Sequence, residues 1–163
     1  MTSATAALAR SITRAGSKQT FFMARFLVDR DLVEDFYRAY AYFRWIDDII
    51  DISPHPEDEQ IRFISRQSEL IDLLYRHEKP EDLSSEEEIL ADLIFNDRGG
   101  NSGLQSFIRN MFAIIEFDTY RKGRFISQEE LTWYSDTLGK SVTDGLLYFV
   151  GNGSPRPENQ DKY

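Results

Sequence analysis

The stretch Tyr40-Ala41-Tyr42-Phe43-Arg44-Trp45-Ile46-Asp47-Asp48-Ile49-Ile50-Asp51 sets three carboxylates at the end of an apolar, aromatic-rich segment. Read as helix, the segment turns about 100° per residue, so Asp47 and Asp51 project from one face. Two like charges placed this way repel, and a purely structural helix gains nothing from them. A hard divalent cation reverses that balance. Mg²⁺ takes oxygen ligands, keeps several waters, and is held by one or two carboxylates together with substrate phosphates. The segment therefore reads as half of a Mg²⁺–diphosphate site, with a solvated acidic face as the plain alternative. A second pair of the same spacing, Asp31 and Asp35, sits where a helix begins. Acids there favour the helix dipole and cap the first turn, so no chemistry is assigned to them. Asp47 and Asp51 lie some four turns further on, where the dipole disfavours acids, and Arg44 precedes them by one turn.

Composition narrows what such a site can serve. The chain has 163 residues, 41% hydrophobic and 13% aromatic, enough for one domain (1–163) with a sizeable core. Its net charge is −9, which argues against nucleic acid as a partner, because binding a phosphate backbone needs a basic surface. The acid is unevenly spread: the first acidic residue is Asp29, and Arg10, Arg14, Lys18 and Arg25 precede it. There is no cysteine, which excludes disulfides, zinc–thiolate centres and cysteine nucleophiles. His55 and His77 are the only histidines, and both read as surface residues near helix ends. No apolar run is long enough for a membrane-spanning helix, and the N-terminus lacks the apolar core of a secretory signal. That acid-free N-terminus resembles a transit peptide in composition, but it reads better as a first amphipathic helix.

The hydrophobic period that must position these residues is helical nearly throughout. Helices are expected from Ala4 to about Arg14, Asp31 to about Ile52, and Glu57 to His77. Three more are expected from Ser84/Ser85 onward, from Gly103 to about Arg121, and from Ser127 to about Val150. In the second, Leu32, Phe36, Tyr40, Phe43, Ile46 and Ile50 form the apolar stripe. Ser53-Pro54-His55-Pro56 and Lys79-Pro80 break the chain, and Asn96 to Ser102 reads as loop. Ser84 with Glu87, and Ser127 with Glu130, have capping-box spacing, and the run Glu86-Glu87-Glu88 reads as N-terminal helix charge. Residues 151–163 read as loop or tail. No strand pattern appears, and the expected architecture is an all-α bundle with roughly antiparallel helices.

Taken together, these residues resemble the N-terminal part of the squalene/phytoene synthase family, all-α enzymes of the isoprenoid synthase type. The first family motif, a Tyr-Ala pair, then arginine, then D-x-x-x-D, is matched by Tyr40-Ala41, Arg44 and Asp47-Asp48-Ile49-Ile50-Asp51. An upstream Ser/Thr-Phe element is matched by Ser17-Lys18-Gln19-Thr20-Phe21, with Thr20 and Phe21 in the matching places. Downstream, Asp118, Tyr134 and Ser141-Val142 resemble later elements of the family. Two positions depart from it: Lys140 and Thr143 stand where the family favours glycine. A lysine there either narrows a prenyl channel or points to solvent. The second aspartate-rich motif of the family has no counterpart after Val150, so the resemblance implies an incomplete or truncated synthase domain.

The resemblance implies a prenyltransferase that condenses two prenyl diphosphates head to head after Mg²⁺-assisted ionisation. It makes Asp47 and Asp51 metal ligands, Asp48 a neighbouring or alternate ligand, and Arg44 a donor to phosphate or to an adjacent carboxylate. Thr20 adds a hydroxyl donor. Phe21, Tyr40, Phe43, Leu138 and Val142 offer a dry wall for a carbocation, with ordinary core packing as the alternative for each aromatic. Tyr134 either orients phosphate or packs in the core, and Asp118 either serves the site or pairs with Arg121. A non-catalytic relative acting as a scaffold or interaction protein is the other reading. The greasy substrates imply a cytoplasmic location with peripheral membrane contact. Prenyl chain length, NADPH use and oligomeric state are not specified by these residues.

Overall fold

Seven helices and no strand make up the regular structure of the described residues, which are 3–51, 56–97 and 103–151 of the computed structural model. They are α1 (Ala4–Gly16), α2 (Lys18–Leu27), α3 (Val33–Asp51), α4 (Glu57–Tyr75), α5 (Ser85–Asn96), α6 (Gly103–Tyr120) and α7 (Gln128–Val150). His55 with most of its proline-rich breaker, the Gly99-Gly100 loop and residues 152–163 lie outside the described residues. None of the described helices is long and apolar enough to cross a membrane. Two compact units divide the chain, Met1–Asp97 with α1 to α5, and Arg98–Tyr163 with α6 and α7.

In the first unit α3 is the central element, packed against α1, α2 and α5. Its buried set is wider than the expected stripe. Tyr37, Tyr42 and Ile46 are almost fully enclosed, with Ala39, Ala41, Phe43 and Ile50 beside them. Leu32, Phe36 and Tyr40 of the expected stripe are only half-buried. A helix covered by neighbours on several sides buries more than one face, so a single stripe understates it.

The expectation of antiparallel packing holds only in part. Arg10 pairs with Glu34, the Thr13 hydroxyl reaches the Tyr37 carbonyl, and Gly16 lies against Tyr40. These contacts advance together along both helices, so α1 and α3 run in the same direction. Between them lies α2, ten residues long, which returns the chain about 15 Å and makes the parallel pairing possible. The sequence reading did not separate α2 from its surroundings. Ser17 is the reason: it ends α1, its N–H bonding Thr13 O at 2.9 Å, and caps α2, its Oγ accepting from Thr20 N at 3.1 Å.

A chain of buried polar groups ties α3, α4 and α5 together. Tyr42 Oη donates to Gln67 Oε1 (3.0 Å), and Gln67 Nε2 donates to Glu87 Oε1 (2.8 Å). The same carboxylate accepts from Arg66 Nε (2.9 Å) and from Ser84 N (2.9 Å), completing the expected capping box. Glu87 is thus a buried junction as well as a cap. Burial alone would raise its pKa, but the hydrogen bonds from Arg66, Ser84 and Gln67 outweigh it and hold the carboxyl below its ordinary range. At the opposite end of α3, buried Asp35 accepts from Arg38 (2.7 Å) and from Asn96 (2.9 Å), a structural role, while Asp31 is exposed just before the helix. α4 stops at Tyr75, short of the expected His77: His77 takes a φ of 62°, and the Glu78 N–H turns back to Leu73 O.

The second unit is a helical hairpin. Phe107 early in α6 meets Phe149 late in α7, and Phe117 late in α6 meets Trp133 and Tyr134 early in α7. α7 packs tightly at Gly145, where an added Cβ would stand 2.9 Å from the Phe107 ring.

Two stability predictions follow from these contacts. Glu87→Ala should cost about 2–3 kcal/mol in urea denaturation, since it strands Gln67 and removes a charged acceptor. Because folding depresses the Glu87 pKa, its contribution is present above the unfolded value near 4.5 and is lost as pH falls through the folded value. The wild-type chain should therefore lose more stability on acidification below that point than Glu87→Ala does. Gly145→Ala should cost about 1–3 kcal/mol, read as a lowered melting temperature, because the Phe107 ring must move aside.

Candidate functional site

α3 ends in the acidic cluster Asp47, Asp48 and Asp51, with no basic residue in its last turn. Carboxylates at a helix C-terminus face the negative end of the macrodipole, so this end of α3 concentrates unfavourable charge. The three acids do not share one role. Asp48 Oδ1 lies 2.6 Å from Arg44 Nη2, an i, i+4 pair on the flank of the helix. The neighbouring carboxylate foreseen as one partner for Arg44 is thus in contact with it. Asp47 and Asp51 both face solvent, one turn apart on the same side. Among the described residues, no group of three or more His, Cys, Asp or Glu converges in the manner of an all-protein metal cage.

The junction of α1 and α2 lies beside this end of α3. A Cβ on Gly16 would stand 3.2 Å from Tyr40 Oη and 3.6 Å from Arg44 Cγ, so the chain passes directly over the Tyr40–Arg44 turn. Ser17, Lys18, Gln19 and Thr20 follow at once as the cap and first turn of α2. Thr20 is half-buried, and its amide is engaged by Ser17. Phe21 stacks on Tyr37 with ring centroids 5.0 Å apart, and its carbonyl accepts from Tyr37 Oη at 2.9 Å. Phe43 is buried edge-on to Tyr42 and belongs to the core. Tyr40 is half-buried. The first unit thus brings the α1–α2 junction over Tyr40 and Arg44, while Phe21, further along α2, meets Tyr37, nearer the start of α3.

Within the second unit, Asp118 accepts from Arg121 Nε at 2.5 Å, the pairing weighed for it, and also from Tyr134 Oη at 3.2 Å. Burial first, and then the Asp118 carboxylate, push the Tyr134 phenol upward, so it stays a donor near neutral pH. Tyr134 also packs against Phe117. Leu138 and Val142 are exposed on α7, with Leu146 continuing the row. Lys140 is exposed, and the Thr143 hydroxyl donates to the Gly139 carbonyl at 2.8 Å. Gly139 has open space where a Cβ would stand, so the small residue that the helix pair requires is Gly145. The sequence reading missed Gly145 and the Tyr134–Asp118 bond. The sixteen-residue gap between Asp118 and Tyr134, spanning a turn, was the available signal for the second.

No family model matches the chain. Two curated proteins are similar to part of it, both named ribosomal RNA large subunit methyltransferase H, from Clostridium botulinum strains Alaska E43 / Type E3 and Eklund 17B / Type B. Each is 33% identical over 97 residues, 60% of this chain and 57% of the relative. The chain therefore spans little more than half the length of these relatives. No solved structure matches.

Ser17→Ala should cost about 1 kcal/mol, because it strips the cap from α2 while leaving the backbone bonds of the junction in place. Chemical denaturation against the wild-type chain measures it.

Proposed function

We propose that the chain carries the diphosphate-binding half of a head-to-head prenyltransferase of the squalene/phytoene synthase type. The observation that carries this reading is the end of α3: two exposed carboxylates, one turn apart, at the helix end where the dipole disfavours acids. The donor set is all oxygen, which suits Mg²⁺, and a cation that keeps its waters and completes its shell with diphosphate needs no third carboxylate. When bound, Mg²⁺ supplies charge neutralisation and Lewis acidity to the departing diphosphate.

The chain's own residues do the rest in this reading. Asp47 and Asp51 hold the cation. Asp48 holds the Arg44 guanidinium at the base of the cluster, leaving its remaining N–H groups for diphosphate oxygens. Lys18 and the Thr20 hydroxyl, on the first turn of α2 after the junction that passes over Tyr40 and Arg44, would add a positive charge and a donor for diphosphate. The allylic C–O bond breaks with its electron pair leaving on diphosphate, and the carbocation then needs apolar surroundings. Phe21 and Tyr40 are the candidates in the first unit. A non-catalytic relative would keep this geometry and bind without turnover.

A second reading comes from the named relatives, methyl transfer to ribosomal RNA. The net charge of −9 opposes it, since binding RNA phosphates is driven by positive charge. Retention of the chain by large-subunit ribosomal RNA at physiological salt would favour it.

The deciding measurement is a thermal melt with and without Mg²⁺ plus a non-hydrolysable farnesyl diphosphate analogue, beside Asp47→Ala. Ligand at about 100 times its Kd should add roughly 2.7 kcal/mol to the wild-type chain and nothing to Asp47→Ala. An equal shift in both, or no shift in either, overturns the reading.

A further inference from the structure

We propose that α2 is a docking face for an anionic lipid surface, an inference drawn from the surface of this helix and not from the diphosphate reading, with Lys18 the one residue that serves both. The helix buries Ala24, with Val28 just past its end, and half-buries Thr20 and Phe21, which together form its inner side. Its outer side is apolar. Phe22 is 51% exposed, Met23 46%, Phe26 85% and Leu27 57%. At about 100° per residue these four span one arc, interrupted only by the exposed Gln19, and Lys18 and Arg25 fall together along one edge of it, both exposed. Four large apolar side chains on the open face of a ten-residue helix form a patch that calls for a partner.

Charge selects the partner. No acidic residue occurs before Asp29, whereas the rest of the chain is strongly acidic within a net charge of −9. A negatively charged membrane attracts the α2 face and repels most other surfaces of the protein, which orients the molecule on contact. A short convex helix with an apolar arc and a basic edge also has the form of an interfacial helix lying in the headgroup layer. Self-association through the same face would bring Lys18 and Arg25 of two copies together, and like charges so juxtaposed oppose it.

The test is flotation of the full chain with phosphatidylcholine vesicles, with and without phosphatidylglycerol, in EDTA so that Mg²⁺-dependent diphosphate binding plays no part. The chain should float with the phosphatidylglycerol vesicles at low salt and dissociate at high salt. Lys18→Gln with Arg25→Gln should lower partitioning roughly thirty-fold, and Phe26→Ser about tenfold, each with unchanged helicity by circular dichroism. All these side chains are exposed, so the variants should fold. Absence of flotation by a chain of normal helicity overturns the proposal, as does flotation that neither substitution weakens. A concentration-dependent dimer that Phe26→Ser dissociates, without vesicle binding, assigns the face to a second copy instead.

Discussion

The first unit depends on one helix being buried on several sides along most of its length and then emerging into water. Tyr37, Tyr42 and Ile46 of α3 are almost completely enclosed. Removing such large apolar surfaces from water supplies the main favourable term of folding. Because a helix is stiff, clamping its middle fixes the direction of its end. The backbone that carries Asp47 and Asp51 is thus directed by residues one to three turns away.

Polar groups inside the unit determine how the helices meet. Hydrophobic burial is non-directional, and a Tyr42 that packed equally well in several registers would not specify one. The hydroxyl of Tyr42 meets Gln67, Gln67 meets Glu87, and Glu87 also closes the cap of α5. Only one arrangement of α3, α4 and α5 satisfies all of these groups together. At the other end, Asp35 does the same for Arg38 and Asn96. Unsatisfied buried donors are costly, so each network penalises slipped packings more than it stabilises the native one.

The helical class, both capping boxes and most helix boundaries were legible in the sequence, because periodicity and caps are local signals. The acidic end of α3 was legible for the same reason, as was the Asp118–Arg121 pair. What escaped was set by distant partners. The parallel run of α1 and α3 depends on α2 being a separate helix, and nothing in Ser17 distinguishes a cap from part of a ligand-binding motif. Glu87 reads from the sequence as a cap and as N-terminal helix charge beside Glu86 and Glu88, and only the arrival of Gln67 and Arg66 makes it a core residue as well. Gly145 carried no local mark at all. Its importance comes from the Phe107 ring on another helix.

Ser17 has a consequence for how the unit opens. Its N–H bonds the end of α1, its Oγ receives the Thr20 amide, and its carbonyl receives the Phe21 amide. One residue thus spends every polar group it has on two helices at once. The last turn of α1 and the first turn of α2 are therefore not independent fraying ends. They form a single cooperative segment for hydrogen exchange, in which the amides of Ser17, Thr20 and Phe21 lose protection together. That segment lies over Tyr40 and Arg44, so the same opening event uncovers the base of the acidic cluster.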